Sequence, residues 1–167
     1  RPNPGIAPVK RWLRPTAVRS FDSRILDVGC GRGGLLWRLE DSGFPNLTGV
    51  DPFVSKEVHR PHVRILRRPL EQLVEEKFDL VMFHHSFEHV PNPLEVLRAA
   101  KKVLTERGVC LIRVPIVSRG SWKIYGADWV ELDAPRHFFL HTEFSLSRLA
   151  ADAGMSMVHI DYEAEPF

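Results

Sequence analysis

Most of what is scarce in this sequence excludes something. Two cysteines, Cys30 and Cys110, are too few for a disulfide framework or a structural zinc site. Each falls in an apolar segment, so both are expected as reduced thiols of a cytoplasmic protein. No apolar run approaches the roughly 18 residues of a membrane-spanning helix, and no signal-peptide pattern opens the chain. Neither sign of charge is in excess: 23 basic against 21 acidic side chains leave a formal net charge of +2. That balance gives no electrostatic reason to expect nucleic acid or an anionic membrane as partner. Repeats and low-complexity tracts are absent. The first residue is arginine rather than methionine, as in a trimmed chain or a piece of a longer one.

What is present suffices for one core: 167 residues, 44% hydrophobic and 26% charged, fit a single globular domain. Residues 1–22 are Pro-rich and basic with scattered apolar anchors (Trp12, Leu13, Val18, Phe21), which predicts a leader or short helix packed on a domain spanning 23–167. From residue 24 the pattern alternates. Short apolar runs at 24–28, 47–50, 63–66, 78–83 and 109–114 read as strands, the fourth nearly all apolar, as in a strand covered on both faces. Between them lie Leu35, Leu36 and Leu39 at helical spacing, closed by Gly43, and a short helical turn around Leu70–Val74. A further helix is signalled by Asn92 as N-cap, Pro93 at its first position and Glu95 completing a capping box, with Gly108 as its end. Residues 115–141 form an irregular aromatic stretch. Thr142 then caps a helix running to Gly154, and Met157–Ile160 opens a sixth strand. Alternating strands and helices at this spacing specify an α/β fold: a doubly wound, mostly parallel, Rossmann-like sheet with helices on both faces and ligands at the carboxyl ends of its strands.

The loop Gly29-Cys-Gly-Arg-Gly-Gly34 satisfies G-x-G-x-x-G between a strand and a helix, and the acidic Asp51 follows at the end of the second strand, a pattern shared with nicotinamide-binding folds. Asp27, two residues before the loop, discriminates. A pyrophosphate on the helix N-terminus would face a fixed carboxylate, a repulsion of several kcal/mol, on the order of the Coulomb energy in a partly desolvated site. A ligand carrying an ammonium and a sulfonium matches that charge instead.

Ile25-Leu-Asp-Val-Gly-Cys-Gly31 resembles motif I of class I S-adenosylmethionine-dependent methyltransferases, and Thr48-Gly-Val-Asp51 is similar to their second-strand acidic motif. Phe78-Asp-Leu-Val-Met-Phe-His-His-Ser-Phe-Glu-His-Val90 followed by Pro91-Asn-Pro93 resembles the fourth strand and "EHV…P" signature of the small-molecule branch. Leu104-Thr-Glu-Arg-Gly-Val-Cys-Leu-Ile112 is similar to the lead into that branch's fifth strand. The resemblance runs from about residue 24 to about residue 160 and implies S-adenosylmethionine as cofactor. It further implies Asp27, Gly29, Cys30 and Gly31 at the methionine end, the last two through their backbone. Asp51 would sit on the ribose hydroxyls, Pro52 and Phe53 beside the adenine, and the His84 carbonyl on the methionine ammonium. The family often carries an acidic residue after the third strand that bonds the adenine; Arg67-Arg-Pro-Leu-Glu71 departs from this, which leaves backbone atoms and packing near Leu70.

Methyl transfer from a sulfonium requires alignment of the acceptor and sometimes removal of a proton. His85, Glu88 and His89, after the fourth strand, and Asp133 and His137, in the aromatic stretch, are the candidate acid–base groups. His137, His85 and Glu88 are the preferred catalytic set, His137 because "PRH…F" segments recur in the branch acting on small and carbohydrate- or lipid-linked acceptors. The plainer role for each is to order its loop. No metal is expected: His84, His85 and His89 could supply a pair of ligands but no ordered set of three or four. The stretch at about 115–141, carrying Trp122, Tyr125, Trp129, Phe138 and Phe139, is expected to cover an acceptor, a small molecule or one linked to lipid or sugar. Two alternatives stand beside this reading, an NAD(P)-dependent oxidoreductase and a non-catalytic methyltransferase-like module. The family usually closes its sheet with an antiparallel seventh strand. The chain stops soon after the sixth, so that strand is expected to be missing or shortened, leaving an open edge that favours a homodimer.

Overall fold

The computed structural model describes residues 13, 16, 18, 20–73, 75–117 and 119–162. Six strands form one sheet: β1 (Ile25–Val28), β2 (Leu47–Val50), β3 (Val58–His59), β4 (Val63–Leu66), β5 (Phe78–His84) and β6 (Leu104–Arg113). Their order across the sheet is β3-β4-β2-β1-β5-β6. All pairs are parallel except β3 with β4. The chain winds outward from β1 through β2 to β4, then returns to lay β5 against the other side of β1. Strand order therefore reverses between β1 and β5, and a crevice opens there at the carboxyl ends.

Alternation along the strands divides the core between the two faces. Leu26, Val28, Val81 and Phe83 point to one side, where α2 (Pro93–Val103) contributes Leu97, Ala100 and Val103 and α4 (Glu143–Asp152) contributes Leu146 and Leu149. Ile25, Val63, Ile65, Leu80 and Met82 point to the other, against Leu36 and Leu39 of α1 (Gly34–Asp41). Leu13 is buried in this second cluster with Val18 packed against it, and Thr16, also buried, donates its hydroxyl to the Leu13 carbonyl at 2.7 Å; the other residues of the expected leader before Ser20, Trp12 included, lie outside the described residues.

Five local expectations change. Met157–Ile160 is not a strand: residues 155–162 carry no strand pairing, and Val158 and Ile160 are exposed. Apolar alternation gives a strand its faces but not its partner. Among the described residues, none of the strands lies beyond β6 in sequence. The helix α2 ends at Val103 rather than Gly108, because Leu104 already pairs with Phe78 and the register then jumps to Leu80 opposite Val109, bulging residues 105–108 out of β6. The Asn92 side chain makes no capping bond, and Glu95 pairs with Arg98 at 2.8 Å instead. The short turn after β4 is a 3₁₀ turn over Leu70–Gln72; Val74 is outside the described residues. The aromatic stretch is also less irregular than expected: it holds α3 (Arg119–Tyr125) and 3₁₀ turns at Gly126–Asp128 and Val130–Leu132.

Candidate functional site

The carboxyl ends of β1 and β2 are tied together by the glycine loop. Gly29 leaves β1 at φ 74° and donates its N–H to the Val50 carbonyl at 2.8 Å. A side chain there would be both strained and obstructed, since an added Cβ would fall 2.5 Å from the Ser86 Cβ. The loop's next turn is fixed by Asp51, whose Oδ2 accepts from the Gly31 N–H at 2.9 Å and whose Oδ1 accepts from the Phe53 N–H at 2.8 Å. A Cβ added at Gly31, by contrast, would meet nothing within 4 Å, so the loop backbone there faces open space.

Asp27 is only 3% exposed. Burial first, and then the nearby Asp51 carboxylate, push its carboxyl up to about 7. Cys30 feels the same surroundings: burial, with Asp27 and Asp51, pushes its thiol up to about 12. A thiol so held is a neutral packing group, and Cys30 fills the space above Gly49, where an added Cβ would lie 2.5 Å from its Sγ. The cleft beside the loop encloses about 410 Å³ and is lined by Gly31, Arg32, Asp51 and Phe53, with Val54–Lys56, Val58 and Ile65 completing the wall. That volume lies in the range of small-molecule sites. Phe53 is 91% exposed at its edge, an apolar ring beside a fixed carboxylate, and Pro52 is exposed next to it. Of the residues expected to hold a cofactor, Gly31, Asp51 and Phe53 line this cleft, whereas Asp27, Gly29, Cys30, Pro52, Leu70 and His84 do not. Leu70 is buried in the core with Leu66 and Phe83, because the 3₁₀ turn that follows β4 drives it inward.

The end of β5 supplies the second half of the site. Burial, then the charges of Arg113, His85 and Arg38, bring His84 down to about 4, and Arg113 Nη1 lies 3.0 Å from its ring Nδ1. His85 adopts φ 52°, a strained conformation for a non-glycine residue, and its side chain is half exposed with Nδ1 3.8 Å from Glu88 Oε1. Ser86 then turns back to donate its hydroxyl to the Val28 carbonyl at 2.6 Å, locking the β5 end onto the glycine loop. The 3₁₀ turn Phe87–His89 follows, with Phe87 and Glu88 buried.

The aromatic stretch is stitched to this turn. Phe138 donates its N–H to the Glu88 carbonyl at 2.9 Å, and the His89 ring Nδ1 contacts the Arg136 carbonyl at 2.9 Å. His137 is brought beside His89, ring centroids 4.8 Å apart. Of its aromatics, Trp129 is buried, whereas Trp122, Tyr125, Phe138 and Phe139 are exposed. The structure thus gathers Asp27, Gly29, Cys30, Gly31 and Asp51 in one group, with Pro52 and Phe53 at its rim, and His85, Glu88 and His137 in a second around the β5 end. His84, at the end of β5, packs its ring against His85 with centroids 5.1 Å apart. Sequence reading missed Arg32, Val54, Ser55, Lys56 and Val58 in the cleft wall, because the two-residue β3 that carries the last of them gives no strand signal. It also missed that His89 joins Glu88 and His137 rather than His84.

A family model described as a methyltransferase domain matches residues 8–160. A tRNA U34 carboxymethyltransferase of Pseudomonas fluorescens is 35% identical over 119 residues, 64% of this chain and 37% of that protein. A ubiquinone biosynthesis O-methyltransferase of Bordetella bronchiseptica is 31% identical over 156 residues, 85% of this chain and 64% of that protein. The cyclopropane synthase MmaA2 of Mycobacterium tuberculosis shares the fold with a TM-score of 0.66 at 18% identity, over 89% of this chain and 60% of that one. The chain spans from a third to just under two thirds of the length of these curated relatives and others like them.

Proposed function

The chain belongs to the methyltransferase-domain family, and from that premise we propose that it transfers a methyl group from S-adenosylmethionine to a small, or lipid- or carbohydrate-linked, acceptor by in-line displacement. The observation that carries this reading is Asp27, a carboxyl buried in β1 just before the glycine loop. An acidic residue in the place of Asp51 also serves nicotinamide-binding folds, but a carboxylate at Asp27 repels the pyrophosphate of a dinucleotide and attracts a ligand carrying cations. The oxidoreductase alternative therefore falls away on charge as well as on family.

The residues present fit the cofactor. Asp51, held by two backbone N–H groups, retains acceptor capacity for a pair of ribose hydroxyls. Phe53 would offer a face to the adenine, while Asp27 and the loop backbone at Gly29–Gly31 would receive the methionine end and the His84 carbonyl its ammonium. The Arg67 N–H is already taken by Glu57 at 2.8 Å and the Arg68 N–H by the Leu66 carbonyl at 3.0 Å, and Pro69 has none, so these three positions offer adenine no backbone donor. When bound, the cofactor supplies an electrophilic methyl on a sulfonium whose departure leaves a neutral thioether. This chain's own task is then to hold the acceptor in line and, for a hydroxyl acceptor, to take its proton. His85 suits that second role: its ring is half exposed, it stands at the β5 end, and Glu88 faces its Nδ1. His137 and Glu88 are the more enclosed members of the set. The exposed aromatics of 122–139 suit an apolar or ring-bearing acceptor, and the near-neutral charge weighs against a nucleic acid.

Isothermal titration with S-adenosylmethionine and, separately, NADH tests this directly. Micromolar binding of the first alone, weakened at least about tenfold by Asp51→Ala through the loss of charge-assisted hydrogen bonds, supports the assignment. Absence of heat with S-adenosylmethionine from folded protein would sink it.

A further inference from the structure

In the sequence, His84, His85 and His89 supply a pair of metal ligands but no ordered set of three or four. The fold makes a different selection. Glu88, His89 and His137 each offer one ligand atom, and these atoms lie within 4.8 Å of one another. We propose that they bind a divalent transition-metal ion, Zn²⁺ being the closest chemical fit, at the acceptor side of the β5 end.

Three observations support the site independently of one another. Glu88 is 2% exposed, and its Oε2 is buried without a hydrogen-bond partner among the described residues. A buried carboxyl oxygen without a partner is unfavourable, and a bound cation would satisfy it. Secondly, both imidazoles are oriented from behind. His89 Nδ1 lies 2.9 Å from the Arg136 carbonyl and His137 Nδ1 lies 2.8 Å from the Glu131 carbonyl. A carbonyl only accepts, so each Nδ1 carries the proton, and in the neutral ring each Nε2 keeps its lone pair. Rings that ligate a metal are held in this way. Thirdly, the ligands come from two segments, the turn Phe87–His89 and the loop 133–139, that are tied together by the Phe138 N–H on the Glu88 carbonyl. Asp133 Oδ2 stands 3.7 Å from His137 Nε2 and is balanced by Arg136, which reaches Asp133 Oδ1 at 2.6 Å. His85 Nδ1 lies 3.8 Å from Glu88 Oε1.

Two imidazoles and one carboxylate suit Zn²⁺, Mn²⁺ or Fe²⁺ rather than Mg²⁺ or Ca²⁺. At metal–ligand bonds of about 2.0–2.2 Å, the ligand atoms draw in to separations of roughly 3.3 Å in a tetrahedral arrangement. Three protein ligands leave positions open, as in metal sites that bind a reactant. An acceptor hydroxyl in such a position would be bound and made easier to deprotonate. That role rests on the methyl-transfer reading; the binding of the ion does not.

The test is a titration of the chelator-treated full chain with Co²⁺, followed by visible absorption, with Zn²⁺ added to displace it. One ion per chain, a saturable band lost on Zn²⁺ addition, and loss of affinity by at least about a hundredfold in Glu88→Gln and His137→Gln are the expected results. Thermal unfolding adds a second readout. The wild-type chain should melt higher with Zn²⁺ than without, and Glu88→Gln should melt at one temperature in both conditions. The amide variant removes a buried charge while keeping its shape, so it reports even if His137→Gln fails to fold. No saturable band from folded wild-type protein, or undiminished affinity in Glu88→Gln, overturns the proposal. Because S-adenosylmethionine is titrated separately, a failure here leaves the methyl-transfer reading standing, and the reverse holds too.

Discussion

Asp27 shows how much one buried side chain can couple. Its carboxyl is raised from 3.8 to about 7 in the folded chain. The folded state therefore holds a proton that the unfolded state has already released. The resulting stabilisation is whole below about pH 4 and is lost as pH rises through about 7. Denaturant titrations of the ligand-free chain should show stability falling across that window, by up to about 4 kcal/mol at the conversion of 1.36 kcal/mol per unit, and Asp27→Asn should flatten the fall. A cationic ligand favours the carboxylate instead. S-adenosylmethionine should then bind with release of a proton below pH 7, its affinity rising with pH by up to about tenfold per unit. Calorimetry in buffers of different ionisation heat measures the proton count, and an affinity indifferent to pH would remove Asp27 from the ligand's reach. His84 runs the other way: its pKa, lowered to about 4 chiefly by burial, keeps the ring neutral in the folded chain, and that contribution is lost as pH falls from 6.5 through about 4.

Among the elements, α4 has the clearest start. Thr142 accepts the Ser145 N–H at 3.1 Å, and Ser145 Oγ accepts the Thr142 N–H at 2.9 Å in return. Thr142→Ala breaks this reciprocal pair and should cost about 1 kcal/mol, read as a lower midpoint in urea with an unchanged slope. A midpoint equal to wild type would mean that packing of Leu146 and Leu149 alone sets the helix start. The contrast with α2 is instructive. There the sequence offered a capping box at Asn92 and Glu95, yet the side chain of Asn92 makes no such bond. Pro93, at the start of that helix, already fixes the backbone and removes one N–H that a cap would serve. The α2 face toward the core, with Val96, Leu97, Ala100 and Val103 buried, holds the element without it.

At the scale of the molecule, β1 and β5 are paired on both sides and sealed between two hydrophobic layers, whereas β6 pairs only with β5 among the described residues. Hydrogen exchange should be slowest in β1 and in the middle of β5, and faster by orders of magnitude at those β6 amides that point away from β5. If β6 is protected as well as β1, its outer edge is covered in solution, which is what a homodimer joined there would produce. A concentration series would separate that from cover by another part of the same chain.

Much of the fold was legible in the sequence, and for a definite reason. Strand and helix identity, the glycine turn after β1 and the placing of Asp27 and Asp51 at strand ends depend on periodicities and on neighbours a few residues away. Strands buried on both faces and a helix beginning just after a glycine cluster leave local marks that no distant contact needs to supply. The tertiary structure decided everything that required a partner. It denied Met157–Ile160 a neighbouring strand, ended α2 early by giving Leu104 a place opposite Phe78, and added the two residues of β3 to the edge of β4. It turned Leu70 into the core and away from the cleft. It also joined the turn after β5 to the loop holding His137, bringing ligand atoms of Glu88, His89 and His137 within 4.8 Å of one another. Residues so far apart in the chain meet only because the sheet carries β5 beside β6 and brings the following segment back over the carboxyl end, and that path is a property of the packed whole.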